Sequence, residues 1–156
     1  MAKKNQGDGR KIITTHRRAR HDYHISETFE AGLVLQGTEV KSLRDGHASL
    51  KEAFVTAERG EAWLVGAHIR EYSHGNINNH APRRKRKLLL HAHEIEKIEQ
   101  RINQKGFSAI PLALYFREGR AKLEFGLGKG KKLHDKRQAE KAKSAKRDMR
   151  DAIDAC

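Results

Sequence analysis

The chain has 156 residues, 37% of them hydrophobic, enough for one domain with a modest core. Its 33 Lys and Arg outnumber 20 Asp and Glu, a net charge of +13 that favours a polyanionic partner. No apolar run approaches the roughly 20 residues of a membrane span, and the single cysteine, Cys156, cannot close a disulfide within the chain.

The charge is unevenly placed. Residues 1–20 hold seven basic groups and one acid, and residues 129–150 hold ten basic groups and three acids. Between them, 108 residues are nearly balanced, with sixteen basic and fourteen acidic groups, and five of those basic groups form the run "RRKRK" at 83–87. A near-neutral body with same-sign flanks is the electrostatic footprint of a nucleic-acid binder. Residues 1–18 are read as a basic N-terminal extension, 19–130 as the body and 131–156 as a basic tail. The opening "MAKKNQGDGR" has no hydrophobic segment of the signal-peptide kind, so a cytoplasmic location is expected.

From residue 21, "HDYHISETFEAGLVLQ" places Tyr23, Ile25, Phe29, Ala31, Leu33 and Leu35 at alternate positions, with Glu27 the one exception, a half-buried strand with Glu30 in the outward register. In "GTEVKSLRDG", Thr38 as cap, Val40 and Leu43 three apart and Gly46 as stop suit a two-turn helix. Alternation returns in "AFVTAERGEAWLVGAHI", where Trp63, Val65, Ala67 and Ile69 are read as one face and "ERGE" as a hairpin turn. Residues 71–87, rich in Gly and Asn and broken by Pro82, read as a long exposed loop that ends in the basic run. A short strand in "KLLLH" leads to an amphipathic helix with Ile95, Ile98 and Ile102 on one face and Gly106 as cap. Ile110, Leu112, Leu114 and Phe116, then Leu123, Phe125 and Leu127, alternate on either side of "REGR", a second hairpin.

About six strands in hairpins, two or three helices and no βαβ rhythm imply a mainly β protein. Closure into an OB-fold-like antiparallel barrel would remove exposed edges. In the tail, Ala139, Ala142, Ala145, Met149 and Ile153 are spaced three and four apart. They are too small to repay the ordering of an isolated helix, so disorder in the free protein and helix on a partner are expected.

"GLGKGKKLHDKRQAEK" looks like a phosphate loop but is not one. The Gly-Lys pair at Gly130 and Lys131 would need a glycine where Phe125 stands and a hydroxyl where Lys132 stands. Histidine chemistry is equally weak. His91, His93 and Glu94 lack the spacing of a metal site, and the adjacent His134 and Asp135 would point about 100° apart on a helix. No catalytic residue, metal or cofactor is expected.

Three blocks, "ARHDYHISETFEAGLVLQGTEVKSLRDG", "RRKRKLLLHAHEI" and "GLGKGKKLHDKR", in this order and at these separations, closely resemble the small protein B (SsrA-binding protein) family of bacteria. The resemblance implies an OB-fold adaptor of trans-translation that binds the tRNA-like domain of transfer-messenger RNA (SsrA RNA) and catalyses nothing. Its implied partners are that RNA, the ribosome through small-subunit rRNA, decoding centre and mRNA channel, and elongation factor Tu with the alanylated RNA, with neither DNA nor membrane. By matching position, Tyr23, Glu30, Leu89 and His91 are implied RNA contacts, with Arg86 and Lys87 of the basic run beside them. Gly130, Lys131, Lys132, His134, Asp135, Lys136 and Arg137 match the family's ribosome-binding tail motif, with the glycines at 126, 128 and 130 as a flexible joint.

Overall fold

The computed structural model describes residues 9–73, 79–104, 106–131, 137–138, 140–145 and 147. Its principal elements are β1 (Arg10–Thr15), α1 (Ala19–Asp22), β2 (Tyr23–Leu33), α2 (Gly37–Arg44), β3 (Ala48–Ser49), β4 (Phe54–Glu58) and β5 (Glu61–Val65). There follow β6 (His68–Ile69), β7 (Arg86–Leu89), α3 (Ala92–Ile102), β8 (Phe107–Arg117) and β9 (Arg120–Gly130). The protein is mainly β. Its large sheet runs β1-β8-β4-β5-β7-β2-β9, and β9 also pairs with β8. Among the described residues six antiparallel strands therefore follow one another round a ring, and β1 pairs with the C-terminal half of β8 on the same edge that meets β4 at Ala109.

Two hairpins drive this closure. Arg59 and Gly60, and again Glu118 and Gly119, have positive φ at both turn positions, the geometry whose twist matches paired strands. The ring is unevenly sewn: β8 and β9 are registered from Phe107/Lys129 to Arg117/Arg120, whereas β4 meets β8 at the pair Val55/Ala109. Leu64, Leu88, Leu114, Leu123, Phe125 and Leu127 fill the interior, and Ile95 and Ile98 of α3 pack into the same core.

Several expectations need correction. The N-terminal segment is not wholly an extension, because Arg10–Thr15 pairs with β8 as β1 and Ile13 packs against the core. In β5 the inward residues are Ala62 and Leu64, not Trp63 and Val65, while Ala67 and Ile69 are buried as expected. Gly66 between them, at φ +81°, changes the phase. A Cβ there would stand 2.6 Å from the Glu52 carbonyl oxygen. In β8 a register shift between Pro111 and Ala113 separates Ile110 and Leu112 from Leu114 and Phe116. Ile110 and Leu112 instead form a second cluster with Ala19 of α1, against which Tyr23 and Ile25 pack.

Caps and glycines differ too. Gln36, not Thr38, caps α2, and the Glu39 carboxylate accepts the Gln36 N–H at 2.9 Å. The Thr38 hydroxyl instead pairs with Nδ1 of buried His80, whose Nε2–H donates to the Ile69 carbonyl. Helix α3 is capped by Asn103, and Gly106, at φ +86°, lies beyond it at the entry to β8. Gly126 and Gly128 are no joint: they lie within β9, where a Cβ would come 2.5 Å from Ile25 and 2.4 Å from the His24 carbonyl oxygen. Close approach of β2 demands them.

Candidate nucleic-acid interface

Three of the anticipated contacts converge. Glu30 from β2, Leu89 at the end of β7 and His91 at the start of α3 line one groove of about 580 Å³, together with Thr28, Gly32 and Lys122. Leu89 keeps 55% of its surface exposed, an uncommon state for a large apolar side chain on a folded strand. Gly32 lies directly across from it, and a Cβ there would press on Leu89 at 3.4 Å. His91 caps α3, its N–H donating to Glu94 at 3.2 Å, and its ring stacks on His93 with centroids 5.6 Å apart. The groove thus joins an apolar contact, an acceptor, imidazole faces and a cation.

The carboxylate of Glu30 is held from behind. Its Oε2 accepts from the Tyr115 hydroxyl and from Arg117 at 2.5 Å. Burial and the Glu30 carboxylate push the Tyr115 phenol well above its usual range, so it remains a donor at physiological pH. Glu124 stands directly across from Glu30, and Arg10 offsets that like charge by pairing with Glu124 at 3.1 Å. Among the described residues Oε1 of Glu30 has no partner. It suits a base or sugar donor, since a phosphate would be repelled.

Arg86 and Lys87 do not join this groove. Arg86 is completely buried: its Nε donates to Glu39 at 2.6 Å, and its other nitrogens reach the carbonyls of Ala67 at 2.8 Å and Pro82 at 3.0 Å. Arg84 also binds Glu39. Arg83 lies 3.6 Å from Glu52, and Lys87 3.5 Å from Glu61 on the strand beside Trp63. Of the run read as exposed charge, Arg84 and Arg86 are therefore drawn into an internal ion-pair network with Glu39, Arg83 and Lys87 make surface pairs, and Arg86 is corrected to a structural residue.

Tyr23 stands elsewhere. Seven residues along β2 from Glu30, it is about 23 Å away at 3.3 Å per residue, paired with Gly130 at the root of the tail. Lys131 N–H donates to the Asp22 carbonyl at 2.7 Å. Lys132, His134, Asp135 and Lys136 lie outside the described residues. Arg137, with residues 138, 140–145 and 147, is helical and exposed, where the sequence leads one to expect helix only on a partner. Glu140 meets His21 Nε2 at 2.9 Å, and that ring's Nδ1 meets Asp22 at 3.0 Å. A side-chain tether to α1, not burial, holds these residues to the body.

Sequence reasoning missed Lys122 and Thr28 as groove residues, although both alternate outward on their strands and period two would have found them.

A small basic β protein with an exposed, partly apolar groove and a cationic tail has the make-up of a nucleic-acid-binding protein. The SmpB protein family model matches residues 13–155. This chain belongs to the SmpB family. It is 61% identical over 145 residues to the SsrA-binding protein of Nocardioides sp., covering 93% of this chain and 91% of that one. With the SsrA-binding protein of Thermobifida fusca it shares 54% over 151 residues, covering 97% and 94%. Among solved structures, a chain described as "tmRNA-SmpB: a journey to the center of the bacterial ribosome" superposes with a TM-score of 0.67 at 48% identity, covering 81% of this chain and 92% of that one.

Proposed function

We propose that this protein is an RNA-binding adaptor that rescues stalled ribosomes by trans-translation. It binds the tRNA-like domain of SsrA RNA, brings it to the ribosomal A site and probes the empty mRNA channel with its tail. Family membership and the likeness to tmRNA-bound SmpB support this. The single observation that carries it on the molecule is the groove, where Glu30, Leu89 and His91 meet from three separate elements.

The ring of six strands is read here as an OB-fold-like closed barrel, a scaffold whose face and loops commonly hold oligonucleotides. Leu89 supplies an apolar surface for an unpaired base, His91 a ring to stack on it, and Glu30 an acceptor for its amino or imino hydrogens. Lys122 answers a phosphate. Recognition by shape suits a folded RNA whose loops are splayed open. The tail motif Gly130, Lys131, Lys132, His134, Asp135, Lys136 and Arg137 then meets small-subunit rRNA, its cations on phosphates and His134 on a decoding-centre base. Delivery with elongation factor Tu on the alanylated RNA, in the cytoplasm, completes the reading.

A structural ribosomal protein would have similar composition, and co-purification separates the two. Sequencing of RNA recovered with tagged protein after a high-salt wash should yield one small RNA, SsrA RNA, in large excess. Recovery of 16S rRNA in stoichiometric amount, without SsrA enrichment, would overturn the proposal.

A further inference from the structure

A second cavity, of about 530 Å³, lies away from the groove. Helix α3 joins the two. Its N-terminal end carries His91 and Glu94 at the groove, and its C-terminal Ile102 lines the cavity. Eleven residues of helix put roughly 16 Å between those ends. The cavity opens at the thin seam of the ring, where among the described residues β4 and β8 register only through Val55 and Ala109. Beyond that pair the same edge of β8 is taken by β1, from Ala113 to Arg117.

The lining has three kinds of group. Phe54 stands at the mouth with 44% of its surface exposed, and Tyr23 and Phe107 form further walls. Cations flank it: Lys129 Nζ lies 5.0 Å from the Phe107 ring centroid and Arg101 5.7 Å, while Lys51 lines the cavity itself. His16 supplies a fixed polar edge. Its backbone N–H donates to the Leu112 carbonyl at 2.8 Å and its Nδ1–H to the Pro111 carbonyl at 3.1 Å. In the neutral ring Nε2 is then an acceptor, and in the protonated ring a donor. The two acids of the lining are already engaged, Asp22 with His21 at 3.0 Å and Glu52 with Arg83 at 3.6 Å.

We infer that this cavity holds an unstacked base of single-stranded RNA, stacked on Phe54, with its flanking phosphate on Lys51 or Lys129. Stacking on an aromatic ring combined with a cationic rim is the chemistry by which proteins hold single strands. A volume of this size accommodates a nucleotide-sized ligand. The engaged acids leave the rim cationic, which matches RNA better than a peptide. Because Tyr23 faces Gly130 across the β2–β9 ladder, the base is held at the root of the tail. The inference rests on the RNA-binding reading but concerns another face.

The test uses the full chain and a single-stranded RNA of about ten nucleotides carrying 5-iodouridine, with cross-links mapped by mass spectrometry. They should fall on Phe54, Tyr23 or Phe107. Phe54→Ala should weaken binding of this RNA about 5- to 160-fold, the range of one stacked base, while Phe54→Trp retains it. Both variants should melt near the wild type, since Phe54 is exposed, and both should bind the tRNA-like domain of SsrA RNA normally. Cross-links confined to the Leu89 groove or the tail, or wild-type affinity in Phe54→Ala, would overturn the inference. So would displacement of the RNA by N-acetylphenylalaninamide but not by adenosine monophosphate, which would assign the cavity to a protein side chain. If the wild type binds SsrA RNA but not the short RNA, the cavity assignment alone fails. If it binds neither, the RNA-binding reading itself fails.

Discussion

Replacing Glu39 with alanine should lower folding stability by about 3–5 kcal/mol, the cost of leaving a buried charge without its partner. Glu39 is fully buried, Arg86 likewise, and Arg84 closes the triad from the edge. The loss comes less from a missing attraction than from the Arg86 guanidinium, which stays charged and loses its acceptor. Replacing both Glu39 and Arg86 by apolar residues of similar volume should therefore cost less than Glu39→Ala alone.

The pH dependence has a definite sign. Burial pushes the Glu39 carboxyl up, but hydrogen bonds from Arg84, the Gln36 N–H and Arg86 outweigh it and bring it below its usual 4.5. A depressed folded value means stability that is fully present above about pH 4.5 and is lost as pH falls through the folded value. Urea titrations of wild type and Glu39→Gln between neutral and acid pH would show it. The wild type should lose more stability on acidification than the variant. A change under about 1 kcal/mol for Glu39→Ala at neutral pH would show that the triad does little to hold the fold.

Removing residues 131–156 should abolish peptide tagging on stalled ribosomes and leave affinity for SsrA RNA nearly intact. The cut follows Gly130, the last residue of β9, so the ring and its groove remain whole. It removes nine basic and five acidic residues, so nonspecific attraction to RNA falls modestly and the loss shrinks as salt rises. Filter binding at two salt concentrations, beside an in vitro tagging assay, separates the effects. Loss of both activities together would deny that body and tail act at separate sites.

Much of this architecture was legible because strands and hairpins write themselves locally. Alternation in residues 23–33 and the two-residue turns at Arg59 and at Glu118 depend on near neighbours, and both hairpins form where the pattern places them. What the sequence hides is pairing at a distance. The run at 83–87 reads as free charge because its carboxylate partners, Glu39, Glu52 and Glu61, lie 22 or more residues upstream. Phase errors have the same origin: one glycine at 66 and one register shift at Pro111 exchange inside for outside, and period two carries no mark of either.

The groove was half legible. Glu30 declared its outward register, but Leu89 looks like any strand leucine until Gly32 is seen across from it. The second cavity was invisible, because it lies where β4 and β8 meet, two strands far apart in sequence.

The most direct measurement is the affinity of the purified protein for the tRNA-like domain of SsrA RNA in two variants, Leu89→Asp in the groove and Lys87→Ala, two residues before it on β7 and paired with Glu61 outside the groove. Leu89 is exposed enough that the aspartate should leave the fold intact. Leu89→Asp should weaken binding about 30-fold or more, a loss of at least about 2 kcal/mol typical of a central contact, while Lys87→Ala stays close to wild type. Unchanged affinity in Leu89→Asp, with a large loss in Lys87→Ala, would place the RNA on the Lys87–Glu61 side of the ring and not in the groove.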